Sequence, residues 1–280
     1  MELKKAETLA EVKATFEGIE ENGDEWFSNL LVRDDELTRW VEKWQVSVAA
    51  TPTTALLLRQ RYGCQRLYFA NVKSETLTED LKSFLVGAPE NIITMVLDRS
   101  KENDPIKDLL RAANFSHYAL LKRVVKVNEP KTPEKIVVEY ARIDDLPRIE
   151  EILRRYFDPL LDHWPDKDEI EEAIKAKRIL VARLENDVIA AFHSFEQKGM
   201  SVYSRYVVSV EEFRSRMPYA PILLRQNLRL HRDCRKYLGW ILDDNEVSIK
   251  VHKALGFQFD GATEEAFVLG AIEPNHVRKA

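Results

Sequence analysis

Asn245-Glu-Val-Ser-Ile-Lys-Val-His-Lys-Ala-Leu-Gly-Phe257 is the stretch on which the fold turns. It opens on Asn, a side chain that caps helix N-termini well. It closes on Gly256, the residue type that best tolerates the left-handed turn after a helix. The segment therefore predicts a short helix over about 246–254. Without gaps, Asn103–Phe115 (N-D-P-I-K-D-L-L-R-A-A-N-F) begins with the same Asn, carries Ala at the same tenth position and ends in the same Phe. Where one has Gly256 the other has Asn114, the second residue type suited to that turn. Two such segments, about half a chain apart, point to a duplicated architecture.

The elements around each copy support this. In the second half the order is strand 136–142, helices 144–156 (Asp144 as N-cap) and 168–177, then strands 178–184, 188–197 and 201–210. Turns at Asn186-Asp187 and Lys198-Gly199 join these three into a meander. Helix 219–237, strand 239–243, the helix after Asn245 and a strand near 264–271 complete it. The first half opens with amphipathic helical stretches at 3–21 and 24–44, where Leu9, Val12, Phe16 and Ile19 recur at helical spacing. Strands follow at 46–50, 54–60 and 66–72. Helix 76–86 has the Thr76/Glu79 capping-box spacing. Strand 92–97, helix 105–113 and strand 118–127 end the copy. Asn128-Glu-Pro-Lys-Thr-Pro-Glu-Lys135 is polar, and its two prolines favour an extended linker. It divides the chain into domains 1–130 and 131–280.

Composition narrows the function. The chain has 280 residues, a net charge of -5 and 9 glycines, with no pair spaced G-x-G. A G-x-G-x-x-G dinucleotide loop and a G-x-x-x-x-G-K-[ST] phosphate loop are both excluded. With 47 acids among 42 bases, general nucleic-acid binding is not expected. The basic run Arg225, Arg229, Arg232, Arg235 and Lys236 reads as a solvated helix face. The start lacks a signal-peptide core, and no run of apolar residues is long enough to span a bilayer. Cys64 and Cys234 stand alone, so neither disulfide scaffolding nor a metal site is expected. The expectation is a cytoplasmic protein without a membrane partner.

The element order resembles the GCN5-related N-acetyltransferase (GNAT) fold. Two segments carry the resemblance: Asn245-x-x-Ser248…Gly256-Phe257, similar to the family's N-x-x-[AS]…G-F helix, and Val208–Leu224, similar to its strand-to-helix crossing. The implied fold class is α/β, an α+β mixed sheet in two tandem acyl-CoA N-acyltransferase (GNAT-like) domains, the first a degenerate copy. The implied activity is transfer of an acyl group from acetyl-CoA, as co-substrate, to an amine of a small molecule or peptide, with no metal. The alternative is a non-catalytic CoA-binding or regulatory module of the same fold.

The resemblance also assigns residues. Pantetheine would lie along the main chain of Tyr206, Val208 and Val210, as an added strand. The pyrophosphate would meet the helix start at Arg214, Ser215, Arg216, Tyr219 and Ala220. There the family spends glycines and this chain does not, Pro218 lacks an N–H, and arginine can meet phosphate directly. Asn245, with Ser248, would either offer its amide to the cofactor or cap its helix. His252 stands where relatives carry the tyrosine that returns a proton to the thiolate. For the base, His193 and Glu196 are the nearest groups; three residues apart on a strand, they face opposite sides. In the acceptor region Asp158, Asp162 and His163 would bind a cationic amine and Trp164 would stack on it; alternatively Tyr156, Phe157 and Trp164 staple the two helices together. In the first half the counterpart of the helix start, Asn71–Thr78, has neither glycine nor arginine. That copy is expected to complete a sheet or shape the acceptor cleft without holding CoA.

Overall fold

The computed structural model describes residues 3–20, 27–61, 63–86, 91–98, 103–127, 138–184, 187–214 and 217–269. The described residues form two compact units, one within 3–120 together with 263–269 and the other within 121–262. The linker expected at 128–135 lies outside the described residues, as do Asn186, Ser215 and Arg216.

The first unit contains β1 (Lys4–Lys5), α1 (Leu9–Glu20), β2 (Phe27–Ser28), α2 (Asp34–Lys43), β3 (Gln45–Ala50), β4 (Thr54–Arg61), β5 (Cys64–Asn71), α3 (Ser74–Phe84), β6 (Ile92–Asp98) and α4 (Asp104–Ala112). Its sheet runs β1-β3-β4-β5-β6. The sheet is extended by Thr263–Leu269, the second part of β13 (Gln258–Leu269), which pairs antiparallel with β6. Ala55–Leu58 of β4 is a continuous buried run, as a strand covered on both faces must be. On α3, Leu77, Leu81 and Phe84 recur at helical spacing and pack against Leu56, Phe69 and Phe267.

The second unit contains β8 (Val138–Tyr140), α5 (Leu146–Tyr156), α6 (Lys167–Lys175), β9 (Ile179–Arg183), β10 (Ile189–Lys198), β11 (Ser201–Ser209), α7 (Tyr219–Leu230), β12 (Lys236–Leu242) and α8 (Glu246–Ala254). Its sheet runs β8-β9-β10-β11-β12, then Leu121–Val127 of β7 (Phe115–Val127), antiparallel to β12. Ile149, Ile152 and Ile170 from α5 and α6 pack on Val181, Phe192, Tyr206 and Val208. Leu223 and Leu224 of α7 pack with Phe195, Val202 and Tyr237.

The expected repeat is present in this geometry. Among the described residues each unit has a parallel strand pair in the same place, β5–β6 in the first and β11–β12 in the second. Gly256 and Asn114 both take positive φ, 81° and 68°, after α8 and α4. The compact units nevertheless follow a different partition from 1–130 and 131–280. Each sheet is finished by a strand from the other half of the sequence, 263–269 beside β6 and 121–127 beside β12. Strand pairing decides this, and composition does not display it.

Several helix expectations change: in the stretch 3–21 the helix is Leu9–Glu20, since Lys4 and Lys5 pair with β3, and Asp144 lies in a 3-10 turn (Ile143–Asp145) ahead of α5 instead of capping it. Of the stretch 24–44 the structure describes 27–44, where the helix is Asp34–Lys43 and Phe27 and Ser28 pair with β5. Helix α7 stops at Leu230; His231 leaves helical geometry, and β12 starts at Lys236, which lets Tyr237 enter the core. Helix α3 begins at Ser74, so Thr76 sits in its first turn and bonds the Lys73 carbonyl instead of forming the expected cap. Among the described residues no helix is long and apolar enough to cross a membrane.

Candidate functional site

Strands β11 and β12 start as a parallel pair and then part. Their register covers Ser201↔Lys236, Val202↔Tyr237 and Tyr203↔Leu238, although β11 continues to Ser209 and β12 to Leu242. The parting coincides with a bulge. Phe195 of β10 faces Ser204 and Ser194 faces Tyr206, leaving Arg205 without an opposite residue. One extra residue bends a strand and increases its twist, which turns β11 away from its neighbour. At the apex the strands are still close: a Cβ on Gly239 would lie 3.6 Å from the Ser204 Cβ.

Past the apex, among the described residues, β11 is paired only with β10, and one bond fixes which groups face the opening. The Val210 N–H donates to the Ala190 carbonyl of β10 at 2.8 Å. Bonded residues alternate along an antiparallel pair, so Tyr206 and Val208 also turn their main-chain groups toward β10. Val207 and Ser209 turn theirs toward the opening. The edge that sequence reasoning assigned to Tyr206, Val208 and Val210 thus belongs to the intervening residues. The bulge shifts the alternation by one, and no residue type in the sequence announces it.

Helix α7 begins beside the end of β11, with its first-turn donors already used. The Tyr219 N–H donates to the Met217 carbonyl (2.9 Å), and the Ala220 N–H to Ser209 Oγ (3.0 Å). Pro218 and Pro221 have no N–H. The Tyr219 side chain is buried in the core. Arg214 Nε donates to the Ser209 carbonyl (2.9 Å), and its guanidinium lies 5.5 Å from the Tyr156 ring. The expected anion cradle therefore reduces, among the described residues, to Arg214 and the field of the helix.

Across the opening, Asn245 caps α8: its Oδ1 accepts the Ser248 N–H at 3.0 Å. Cap and ligand roles are compatible, because the cap uses only the carbonyl and leaves the Nδ2 donors. His252 is buried, and burial pushes its pKa down. Its Nδ1 lies 2.8 Å from the Ser248 carbonyl, an approach that requires a proton on Nδ1. With Nδ1 engaged in this way, a second proton would sit on Nε2, and burial disfavours it, which weighs against the expected proton donor.

The two base candidates face opposite sides, as their spacing requires. Glu196 lies opposite Tyr203, where β10, β11 and β12 are still joined, and pairs with Lys198 at 3.4 Å. His193 is fully buried, with Nε2 2.9 Å from Ser204 Oγ at the apex. Burial lowers its pKa to about 3, against a backbone bond at Leu223 and with smaller contributions from His252 and His231. It is neutral at any ordinary pH. Sequence reasoning did not connect it to Ser204, since the contact spans two strands.

The loop after α5 is built around its own amides. Asp158 Oδ1 accepts the Leu160 N–H (2.8 Å), and Asp162 Oδ2 accepts the Asp158 N–H (2.9 Å). The Tyr206 hydroxyl donates to the His163 carbonyl, and Phe157 packs edge-on against the Tyr206 ring at 5.1 Å. Arg154 lies 5.8 Å from the Trp164 ring. These contacts fasten the loop to the α5–α6 face of β11. Among the described residues no group of three or more His, Cys, Asp or Glu stands together as a metal site.

No protein-family model and no curated protein matches the sequence. Solved structures do. A GCN5-related N-acetyltransferase from Sphaerobacter thermophilus is similar at a TM-score of 0.60 and 14% identity, over 97% of each chain. A tandem GNAT protein from the clavulanic acid biosynthesis pathway, solved without acetyl-CoA, is similar at 0.60 and 12%, over 97% of this chain and 99% of that one. A GNAT-family acetyltransferase from Colwellia psychrerythraea is similar at 0.59 and 11%, over 96% and 100%. The chain has the tandem GNAT fold, the α/β architecture that the Asn245–Phe257 segment implied.

Proposed function

We propose that the second unit is a thioester-dependent N-acyltransferase site, moving an acyl group from acetyl-CoA to an amine of a small molecule or peptide. The observation that carries this reading is the parting of β11 and β12 beyond Tyr203 and Leu238, which leaves the Val207 N–H and C=O facing an edge with no strand partner. An extended amide-containing arm can bond such an edge as an added strand does. The Nδ2 of Asn245 is a further donor for it. The neutral amine attacks the thioester carbon, the tetrahedral intermediate expels the thiolate, and the nitrogen gives its extra proton to solvent water. Main-chain N–H groups at the opening stabilise the developing oxyanion. Burial disfavours the protonated form of both His193 and His252, which favours solvent as the source of the proton that the thiolate takes up. A reducing, cytoplasmic setting suits the two free cysteines.

A second reading, a non-catalytic CoA-binding or regulatory module, is favoured by the used first-turn donors of α7. Two measurements separate the readings. Acetyl-CoA at about 100 times its Kd stabilises by about 2.7 kcal/mol, a readily measured rise in Tm. Release of free thiol with any member of an amine panel supports the enzyme. Binding without release supports the module, and no rise in Tm at millimolar acetyl-CoA refutes both.

A further inference from the structure

The first unit has the same parting of strands, and there the gap is filled. Strands β5 and β6 pair in parallel only at Gln65↔Ile92 and Arg66↔Ile93, although they continue to Asn71 and Asp98. β4 holds one edge of β5 over its whole length. On the other edge, beyond the last β6 pairing, Phe27 and Ser28 pair antiparallel with Asn71 and Ala70. Asn29 then closes the gap. Its N–H donates to the Phe69 carbonyl (3.1 Å), and its Oδ1 accepts the Phe69 N–H (2.7 Å). Its Nδ2 donates to Thr94 Oγ1 (2.9 Å) and to the Met95 carbonyl (3.1 Å) on β6. Thr94 Oγ1 itself donates to the Leu67 carbonyl on β5 (3.0 Å). One amide side chain thus spans both strands, with every bond made to the edge that parting exposes.

Phe69 is the counterpart of Val207. It lies three residues past the last β5–β6 pair, and Val207 lies four past the last β11–β12 pair, the extra residue being the bulged Arg205. Phe27 covers the filled gap, 5.4 Å from the Phe69 ring and buried. We infer that Phe27–Asn29 is a built-in occupant of the first unit's cleft, bonded where the second unit takes an extended acyl-carrier arm, so that each chain has one thioester site. What the segment excludes rests on the function proposed above; that it occupies the cleft rests on the first unit alone.

Amide hydrogen exchange on the full-length protein tests the occupancy. The Phe69 amide is expected to exchange at least about 10-fold more slowly than the Val207 amide, the retardation one well-made bond confers. In Asn29→Ala, exchange at Phe69 rises by about 10- to 100-fold and Val207 is unchanged. Asn29→Asp, which keeps the acceptor and loses the donors to Thr94 and Met95, gives a smaller rise and serves if the alanine variant does not fold. Equal exchange at Phe69 and Val207 in the unaltered protein overturns the inference. Calorimetry with acetyl-CoA is expected to give one equivalent per chain, and two equivalents also overturn it. Absence of binding refutes the second-unit site instead, and the exchange rates still decide whether the first cleft is filled.

Discussion

Replacing Asn245 by Asp separates helix capping from cofactor contact. Its Oδ1 accepts the Ser248 N–H at 3.0 Å, and its Nδ2 donates to no group among the described residues. Asn245→Ala removes the cap, which costs about 1 kcal/mol, within a range of about 0.5–2. For a unit of this size that lowers Tm by about 2–6 °C. Asp keeps the acceptor and adds a negative charge at a helix N-terminus, where it contributes about 0.3–1 kcal/mol. Asn245→Asp should therefore melt at or slightly above the unaltered protein. It has lost the donor, however, and a hydrogen bond to ligand is worth about 0.5–1.5 kcal/mol, or about 2- to 13-fold in affinity. Repulsion between the carboxylate and the thioester and amide oxygens adds to this. The expected pattern is an unchanged Tm for Asp, a lowered Tm for Ala, and acetyl-CoA binding weakened in both. Calorimetric Kd values beside melting curves decide it. If Asn245→Asp binds acetyl-CoA as tightly as the unaltered protein, the side chain is a cap alone and the assignment of Nδ2 to the ligand is wrong.

Expression of 131–280 alone removes Leu121–Val127, which supply seven register pairs to β12 and bury Leu121 and Val124. An exposed β12 edge favours aggregation, so size-exclusion chromatography should show that this fragment aggregates and that one starting at 115 is more soluble. The folded-state pKa of His193, about 3, lies below the unfolded value of about 6.5, so its contribution is complete above pH 6.5 and is lost as pH falls toward 3. By pH 4.5 the loss is on the order of 2–3 kcal/mol, and the fall in Tm between pH 7 and 4.5 should be smaller in His193→Gln. Asp145 and Arg183 are both buried and pair at 2.7 Å. Burial raises the Asp145 pKa, but Arg183 and the Arg142 N–H outweigh it and hold the carboxyl below its usual range. That stabilisation is present above about pH 4 and is lost as pH falls through the lowered value. Asp145→Ala removes the bonds to Arg183 at 3.0 and 2.7 Å but leaves it Glu139 (3.4 Å) and Asp187 (3.3 Å), so it should cost about 1.5–3 kcal/mol in chemical denaturation.

The legible parts of this protein were those written in local chemistry. Asn245 and Gly256 mark both ends of α8 by residue type alone, and Asn103 and Asn114 do the same for α4. The meander followed from its turns. What stayed hidden depends on partners distant in sequence. Phe27–Asn29 lies in a stretch with helical spacing, yet it pairs with β5 because the parted strands offer unbonded main-chain groups. The same holds for the exchange of 121–127 and 263–269. In the proposed site, residue types pointed to β11 but not to which of its residues turn their main-chain groups away from β10. Whether Val207 or Val208 faces the opening depends on one extra residue at Arg205, and a bulge at that position has no signature in composition. His252 was legible as a position but not as a protonation state, because its tautomer is set by the Ser248 carbonyl 2.8 Å away.

The shortage of glycine acquires a physical meaning at α7. A glycine-rich crossing lets backbone N–H groups turn outward to meet an anion; here the same donors are turned inward. Ser209 Oγ takes the Ala220 N–H, Pro221 supplies none, and Arg214 Nε bonds the Ser209 carbonyl, so strand end and helix start are fastened to each other. If those inward bonds limit diphosphate binding, releasing one should improve it. Ser209→Ala frees the Ala220 N–H and leaves the main-chain bond to Arg214. A bond from that N–H to a phosphate oxygen is charge-assisted and worth about 1.5–3 kcal/mol. Acetyl-CoA should bind about 10-fold tighter or more, while acetyl-pantetheine, which has no diphosphate, should bind as before. The lost cap lowers stability by about 1 kcal/mol. Equal tightening for both ligands would show that the change acts through the strand edge. No tightening for either would show that Arg214 and the helix field, without the first-turn amides, set the affinity.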